Sequence, residues 1–282
     1  MGFKTVLTGA TFADSSLPII RNDALLSKGS LFLFDPSHSM GGFNGTASQT
    51  VVPNIAWKEA SALMPGETAE TAETLSGKVF LNLAPGEIMV ERTAKKGVHI
   101  LNSLVNQTTD RNWNIWPSGK ILNYMVQNGS AHKFYVSLWM KRTRKGPGPA
   151  GSVFHLFRNP VGSMFIAPDE GLNGNGRMNF RTVNTNGGVE PFVRFSNTDI
   201  NGVTGSPDLL QLGAGMLSSY SGNTYRNKQN SVILYRAYIE DLTVSGRNYA
   251  EVDALDYALH QEAFAVGGRL YGDTYTDPSM FP

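Results

Sequence analysis

The chain has 282 residues, of which 41% are hydrophobic and only 17% charged, and it contains 30 Gly and 14 Pro. This composition is typical of a turn-rich β protein, and a β-sandwich of more than about 200 residues commonly forms one domain. Lys and Arg number 24 against 23 Asp and Glu, so no strong field attracts nucleic acid or an anionic membrane. The absence of Cys excludes disulfides and thiolate metal sites and fits synthesis in a reducing cytoplasm. No stretch approaches the roughly 18 apolar residues of a membrane span, so we expect no membrane insertion.

The first 75 residues are polar and only weakly patterned compared with the rest of the chain. They contain one apolar strand, SLFLFD, which the turn signal Asp35-Pro36 ends. The segment NIAWKEASALM predicts a short helix capped by Asn54. We therefore predict that residues 1–75 form an extended N-terminal arm and linker with one strand.

From about residue 76 short apolar segments alternate with turn signals at intervals near ten residues, a pattern typical of an antiparallel sandwich. The clearest strand is HKFYVSLWMKR, which has one wholly apolar face. That face comprises Phe134, Val136, Leu138 and Met140. It must meet a second layer, because each large side chain that is buried contributes about 1.5–3 kcal/mol. The opposite face carries Tyr135 and Trp139, and we expect it to be partly exposed.

Near the C-terminus the hydrophobic pattern changes from strand period to helix period. VILYRAYIEDL (232–242) predicts a strand, and the following residues carry an apolar stripe at helical spacing. The stripe comprises Tyr249, Val252, Leu255, Leu259 and Ala263. Asn248 and Glu251 have the spacing of a capping box. EVDALD (251–256) is therefore predicted to begin a short C-terminal helix with its acidic side chains in solvent, followed by a tail over residues 266–282.

The strands from residue 76 onward and the ending YRAYIEDLTVSGRNYAEVDAL resemble the concanavalin A-like jelly roll of laminin G-like domains. In those domains a last strand leads through an L-S-x-x-E element into a short helix, and Leu242, Ser245 and Glu251 correspond to it loosely. The ending also resembles the C-terminal part of sandwich domains in virion proteins of tailed bacteriophages. The resemblance covers residues 76–265 and implies an all-β, antiparallel two-sheet sandwich of the jelly-roll type.

Jelly-roll endoglucanases share that fold and carry an E-x-D-x-x-E strand, whose first Glu is the nucleophile and whose last Glu is the acid/base. Glu251 and Asp253 match this motif, but Asp256 stands where the acid/base belongs. Retaining hydrolysis needs the two carboxyl groups about 5–5.5 Å apart, whereas the periodicity here predicts a helix. We therefore expect no catalytic residues and no enzyme, and hydrolysis by Glu251 and Asp256 remains the least favoured hypothesis.

Aromatic residues in Asn- and Ser-rich predicted loops have the composition of a sugar-binding rim, where rings stack on pyranose faces and amides bond hydroxyl groups. The candidate carbohydrate-binding residues are Trp113, Trp116, Tyr124 and Asn173. Rings that are buried as anchors for loops would have the same composition, and this alternative is preferred.

DEGLNGNG (169–176) is rich in oxygen ligands of the kind that Ca²⁺ prefers, which makes Asp169, Asn173 and Asn175 candidate metal ligands. Asn-Gly pairs are equally typical of hairpin turns, and Met164–Ile166 with Met178–Phe180 would form the two strands. The hairpin is the preferred interpretation, and calcium is the one cofactor that the sequence suggests.

The favoured hypothesis is a structural component of a bacteriophage virion, in the tail, baseplate or fibre. It would attach through its N-terminal arm to other virion proteins, form homo-oligomers within the particle and present a lectin-like sandwich to host glycans. The alternatives are a carbohydrate-binding module with Trp113, Trp116 and Asn173 at its site, and a capsid decoration protein.

Overall fold

A computed structural model describes residues 22–41, 43, 47–48, 50–66, 75–128, 131–147 and 226–282, and short strands between residues 154 and 215. The described chain forms two antiparallel sheets and a few short helices, so the prediction of a two-sheet β-sandwich is confirmed at this level. The strands are β1 (Ser30–Phe34), β2 (Val51–Val52), β3 (Gly77–Asn82), β4 (Ile88–Arg92), β5 (Val98–Asn102), β6 (Asn112–Pro117), β7 (Phe134–Arg144), β8 (Phe154–Leu156), β9 (Met164–Ile166), β10 (Gly174–Arg177), β11 (Arg181–Val183), β12 (Val189–Pro191), β13 (Leu210–Gly215) and β14 (Ser231–Asp241). The helices are α1 (Trp57–Leu63), α2 (Gly119–Asn128), α3 (Leu242–Ser245) and α4 (Tyr249–Phe264), and a 3₁₀ turn spans Pro278–Met280. None of the helices in the described residues is both long enough and apolar enough to cross a membrane.

One sheet has six strands in the order β10-β7-β14-β5-β4, with β1 paired to β14 as well. The long strand β14 is its centre, because it pairs with β7 along its whole length. Its other edge is shared: β5 pairs with residues 232–234 and β1 with residues 237–240. The second sheet has eight strands in the order β12-β11-β9-β8-β13-β6-β3-β2.

The main core lies between the two sheets and contains the apolar face predicted for HKFYVSLWMKR. Phe134, Val136, Leu138 and Met140 all belong to it, as the alternation requires. The eight-stranded sheet contributes Trp113 and other large side chains from the opposite side.

The outer face of the six-stranded sheet is covered by α4, which confirms the predicted helix. The apolar stripe packs downward, with Val252 and Ala263 buried. Tyr135 and Trp139 beneath it are each only 1% exposed, so this face is more completely buried than expected. A third layer covers them, because two rings of this size lose a large hydrophobic contribution if they remain in water.

Strands β1 and β2 and helix α1 pack with the two sheets, although they precede residue 76. Strand β1 is wholly buried and pairs with the central strand β14, and Leu25 and Leu26 are buried as well. Asn54 does not cap α1; its side chain accepts hydrogen bonds from Leu33 N and Ala56 N and donates to two backbone carbonyls. The prediction of an arm therefore remains only for residues 1–21, which lie outside the described residues.

The C-terminal tail folds back onto the sandwich. Ala94 N donates to Thr274 O, and Leu104 N donates to Pro282 O. Arg144 on β7 donates to the carbonyls of Pro278 and Phe281. The tail is thus held by backbone groups at the end of the six-stranded sheet.

Candidate functional site

EVDALD lies on the first turns of α4, as predicted. Asn248 Oδ1 accepts from Glu251 N at 3.0 Å, and Glu251 Oε2 accepts from Asn248 N at 2.7 Å, which completes the capping box. Glu251 and Asp253 therefore do not lie side by side on a strand, as the endoglucanase motif requires.

Asp256 is an exception to the prediction that the acidic side chains face solvent, because it is fully buried. Its Oδ1 accepts from Trp139 Nε1 at 2.9 Å and its Oδ2 accepts from Tyr135 OH at 3.0 Å. The rings of β7 carry polar atoms that need acceptors once α4 covers them. The carboxylate of Asp256 supplies both acceptors, so its role is to join helix and sheet.

A buried ion cluster joins the segment before β1 to the centre of the six-stranded sheet. Arg236 on β14 donates to both carboxylate oxygens of Asp23 at 2.7 and 3.0 Å and to Asp35 at 3.1 Å. Burial alone would lower the pKa of Arg236, but hydrogen bonding to Asp23 and the nearby carboxylates raise it. Arg269 also binds Asp35, and both guanidinium groups lie over the Trp139 ring. The cluster stabilises the packing of residues 22–41 against β14.

Tyr124 takes part in a second internal cluster rather than in a sugar-binding rim. Its hydroxyl donates to Asp241 Oδ2 at 2.8 Å, and His132 Nδ1 lies 2.5 Å from the same oxygen. Burial and then the Asp241 carboxylate raise the pKa of Tyr124. Asp241 also accepts from Val244 N and so caps α3. The cluster ties α2 and the start of β7 to the end of β14.

Trp113 and Trp116 lie on strand β6, not in loops, and they occupy opposite faces of the eight-stranded sheet. Successive side chains of a strand alternate between faces, so residues three apart cannot share one. Trp113 is 0% exposed and lies in the main core, with its ring 6.4 Å from that of Phe43. A ring buried in this way cannot stack on a sugar, which removes Trp113 from the candidate site. Trp116 is half-buried on the outer face.

The predicted calcium segment is described only in part. Asp169 and Asn173 lie outside the described residues, and Asn175 belongs to strand β10, paired with Lys141. The second predicted strand of the hairpin, Met178–Phe180, lies outside the described residues; β11, which follows it, pairs antiparallel with β9 in the eight-stranded sheet, whereas β10 lies in the six-stranded sheet. Within the described part of the chain no group of three His, Asp or Glu side chains is placed to hold a metal ion.

The outer face of the eight-stranded sheet carries an aromatic pair. In the register of β3 with β6, Lys78 lies opposite Trp116 and Phe80 opposite Asn114. The rings of Phe80 and Trp116 are stacked with centroids 3.5 Å apart and planes 20° apart. Both side chains are half-buried, so the pair forms an apolar plane at the surface of the sheet.

Two polar atoms beside this pair have no hydrogen-bond partner. Asn114 is only 3% exposed, and among the described residues nothing donates to its Oδ1. The orientation of this amide is set by its neighbours, because Nδ2 donates to Asn112 Oδ1 at 2.9 Å and to Phe80 O. The indole Nε1 of Trp116 likewise has no acceptor. One unmatched acceptor and one unmatched donor thus lie next to the aromatic plane, and both are closed from solvent.

Gly213 lies on the neighbouring strand β13, directly opposite Asn114. Its φ is 156°, and a Cβ atom added there would lie 2.3 Å from Trp113 O. Only glycine fits at this position. Residue 213 therefore places no side chain next to Asn114. We define the sheet-face site as Phe80, Asn114, Trp116 and Gly213.

Sequence reasoning found Trp116 but missed the other three members of the sheet-face site. The signal was present in NWNIWP (112–117), where Trp113 and Ile115 alternate with Asn112, Asn114 and Trp116. If the segment is taken as a strand, it places the two Asn and Trp116 together on one face. The pairing partners Phe80 and Gly213 come from distant strands and have no local signal.

No model of a known protein family matches this sequence, and no curated protein matches it either. The assignment of function therefore depends on the geometry of the chain and on the resemblance of its C-terminal part.

Proposed function

We propose that this protein is a structural component of a bacteriophage virion, in the tail, baseplate or fibre, and that its sandwich is of the concanavalin A-like, laminin G-like type. One observation carries the proposal: the central strand β14 leads directly through α3 into the capped helix α4. Leu242 begins α3, Ser245 ends it, and Glu251 completes the capping box of α4. The three residues that correspond loosely to the L-S-x-x-E element lie in the segment that leads from β14 to α4, and this supports the proposal.

The internal clusters support a role that depends on a fixed shape. The Arg236 cluster joins residues that are 213 positions apart in the sequence. A buried ion pair of this kind specifies one packing, because an unpaired partner would be left as a buried charge. The described N-terminal and C-terminal segments are both held against the sheets by such contacts. A fixed shape of this kind suits a protein that serves as part of a particle.

Attachment is proposed to occur through residues 1–21, which precede the first described residue, with other virion proteins and copies of this chain as partners. A segment at the end of a chain can bind a partner by adding a strand to an exposed sheet edge. The deletion that tests this must end at residue 21, because Asp23, Leu25 and Leu26 belong to the folded sandwich.

The test is incorporation of a variant lacking residues 1–21 into particles of the source virus. We expect the truncated protein to fold with an unchanged thermal midpoint and to be absent from purified particles. A variant in which residues 2–21 are replaced by a Gly/Ser linker of equal length is the control, and it should also be absent. Normal incorporation of either variant contradicts attachment through this segment. Electron microscopy of particles carrying the full-length protein distinguishes the tail, baseplate or fibre from a capsid decoration.

The second candidate is a carbohydrate-binding module that works by itself, and the sheet-face site is the observation that favours it. A stacked aromatic pair beside amide groups is the chemistry that binds sugars. Stable association with purified particles distinguishes the two candidates, since only the virion component requires it.

A further inference from the structure

We infer that the open edge of strand β4 receives the N-terminal segment of a neighbouring copy of this protein, and that Asp14 of the segment pairs with Arg92. The inference rests on the proposed function, because it names the surface to which the attachment segment binds. Three features of β4 support it: its place at the edge of a sheet, its free backbone groups and an arginine without an anionic partner.

Strand β4 is an edge of the six-stranded sheet, where it pairs only with β5. It has five residues, whereas the edge strands β2, β10 and β12 have two, four and three. Strand β1 also pairs on one side only, but Asn54 and Ile55 close its other side by hydrogen bonds with Leu33. Among the described strands, β4 is therefore the longest with an edge left open.

The register of β4 with β5 shows which backbone groups point away from the sheet. Thr93 N donates to Gly97 O at 2.9 Å, just beyond the last paired residues of the two strands. Bonded and outward-facing residues alternate along an antiparallel pair. Ile88, Val90 and Arg92 therefore direct their N–H and C=O groups toward the open edge.

The open edge is closed at one end and free at the other. Ile88 N donates to Ala84 O at 3.2 Å, so the chain that enters β4 occupies the edge there. Within the described part of the chain, nothing bonds the outward N–H and C=O groups of Val90 and Arg92. These two donors and two acceptors match the backbone of one short added strand.

The side chain of Arg92 determines which strand is accepted. Its guanidinium is half-buried and lies 5.5 Å from the centroid of the Phe43 ring. Burial lowers the pKa of Arg92 to about 10, and no carboxylate of the described residues opposes this shift. A charge that points inward at a sheet edge hinders the addition of an ordinary strand. A strand that brings its own carboxylate removes this obstacle and forms a charged pair.

The segment that precedes Asn22 has the matching charge. Asp14 is the one acidic residue in positions 1–21, and it ends the run ATFAD (10–14), which contains neither Pro nor Gly. In an added strand Phe12 shares the face of Asp14. With Asp14 beside Arg92, this face continues the apolar side on which Val90 packs against the core.

The length of the segment limits where the acceptor can lie. Asp14 is eight residues before Asn22, so it can extend at most about 28 Å from its own sandwich. Only an adjacent copy is within this reach. The contact joins two different surfaces of the same chain, and a head-to-tail contact of this kind builds closed rings or open filaments.

The measurement is sedimentation velocity of the full-length protein over a wide range of concentrations. We expect species larger than a dimer, because a head-to-tail contact does not stop at two copies. Asp14→Asn and Arg92→Gln should each weaken self-association by at least about tenfold, which corresponds to about 1.4 kcal/mol. Asp14→Arg combined with Arg92→Asp should associate more strongly than either reversal alone, because only the combination restores the opposite charges.

Val90→Pro tests the backbone pairing, because it removes an outward N–H, and an edge strand accepts Pro where its N–H faces away from the sheet. Val51→Pro is the matched control. Val51 lies on the edge strand β2, and its N–H also faces outward, since the neighbouring pair is bonded from Val79 N to Thr50 O. Self-association should fall in Val90→Pro and remain unchanged in Val51→Pro. If Val90→Pro does not fold, Asp14→Asn decides, because residue 14 precedes the described fold.

The inference is wrong if the unchanged protein stays monomeric, if the two proline variants associate equally, or if combining the charge reversals restores nothing. Particle incorporation separates it from the proposed function. A monomeric protein that enters particles only when it has residues 1–21 contradicts the β4 inference alone. Self-association through β4 by a protein that never enters particles contradicts the virion proposal alone.

Discussion

The outer faces of the two sheets each carry a tryptophan, and the two differ in burial and in hydrogen bonding. On the six-stranded sheet Trp139 is covered by α4, and its Nε1 donates to the buried carboxylate of Asp256. On the eight-stranded sheet Trp116 is half-buried, and its Nε1 has no acceptor in the part of the chain that the structure describes. The indole N–H therefore joins two layers at Trp139, whereas at Trp116 only the stacked ring contributes to the face.

The largest predicted effect is the loss of the ion cluster that supports the covered face. Arg236→Met leaves Asp23 without its arginine partner and removes one of the two arginines that bind Asp35, which is fully buried. Removing one partner of a buried pair typically costs about 3–5 kcal/mol, and we expect a decrease of that size in the free energy of unfolding measured by chemical denaturation.

The control for the ion cluster is Arg226→Gln, which removes the cation of a more exposed pair with Asp110. This pair should contribute less than about 1 kcal/mol. Equal losses in the two variants would show that burial of the Arg236 cluster has no energetic consequence.

The next prediction compares the free energies of unfolding of Trp139→Phe and Trp116→Phe. Trp139→Phe leaves Asp256 Oδ1 without the indole donor, at a cost of about 1–3 kcal/mol for the unsatisfied buried group, and it also removes buried volume. Trp116→Phe removes a donor that has no acceptor, so its free energy of unfolding should change by less than about 1 kcal/mol. The comparison fails if denaturation midpoints fall equally in both variants.

A smaller effect is expected at the start of α4, the helix that covers the six-stranded sheet. Asn248→Ala removes the acceptor of Glu251 N and should lower the free energy of unfolding by about 1 kcal/mol. Glu251→Gln keeps an oxygen that accepts from Asn248 N and should cost only a few tenths of that. A larger loss for Glu251→Gln than for Asn248→Ala would contradict the capping geometry.

The mildest effect is a dependence of stability on pH at His99, which lies buried on β5 between β14 and β4. Burial lowers the pKa of His99 below its usual 6.5, although Glu91 opposes this shift. The folded protein therefore holds His99 neutral, while the unfolded chain takes up a proton below pH 6.5. Stability from this group is present above pH 6.5 and is lost as the pH falls.

The pKa of Glu91 adds to this dependence at lower pH. Burial would raise its pKa, but hydrogen bonds from Thr276 and His99 lower it below the usual 4.5. Its contribution is present above pH 4.5 and is lost as the pH falls further.

The His99 prediction is checked by chemical denaturation at pH 7.0 and pH 5.5. The free energy of unfolding should decrease between these two pH values, and the decrease should be smaller in His99→Gln. An equal decrease in that variant would contradict the assignment to His99.

The sequence predicted the elements whose pattern is local. The alternation in HKFYVSLWMKR fixed which face of β7 enters the core, and the helical stripe with its capping box located α4. The position of residues 22–66 could not be predicted, because it depends on contacts such as Asp23 with Arg236, far apart in the sequence. The sheet-face site was found only in part for the same reason, since Phe80 and Gly213 reach Asn114 through strand pairing.

The most direct measurement is a titration of the ¹⁵N-labelled protein with a neutral paramagnetic gadolinium chelate, following the indole N–H resonances of its four tryptophans. Each resonance can be assigned from the corresponding Trp→Phe variant. The resonance of Trp116, whose ring is half-buried on the outer face of its sheet, should broaden as the chelate is added, whereas that of Trp139, covered by α4, should keep its width. A Trp116 resonance that broadens no more than that of Trp139 would contradict the account of the two faces.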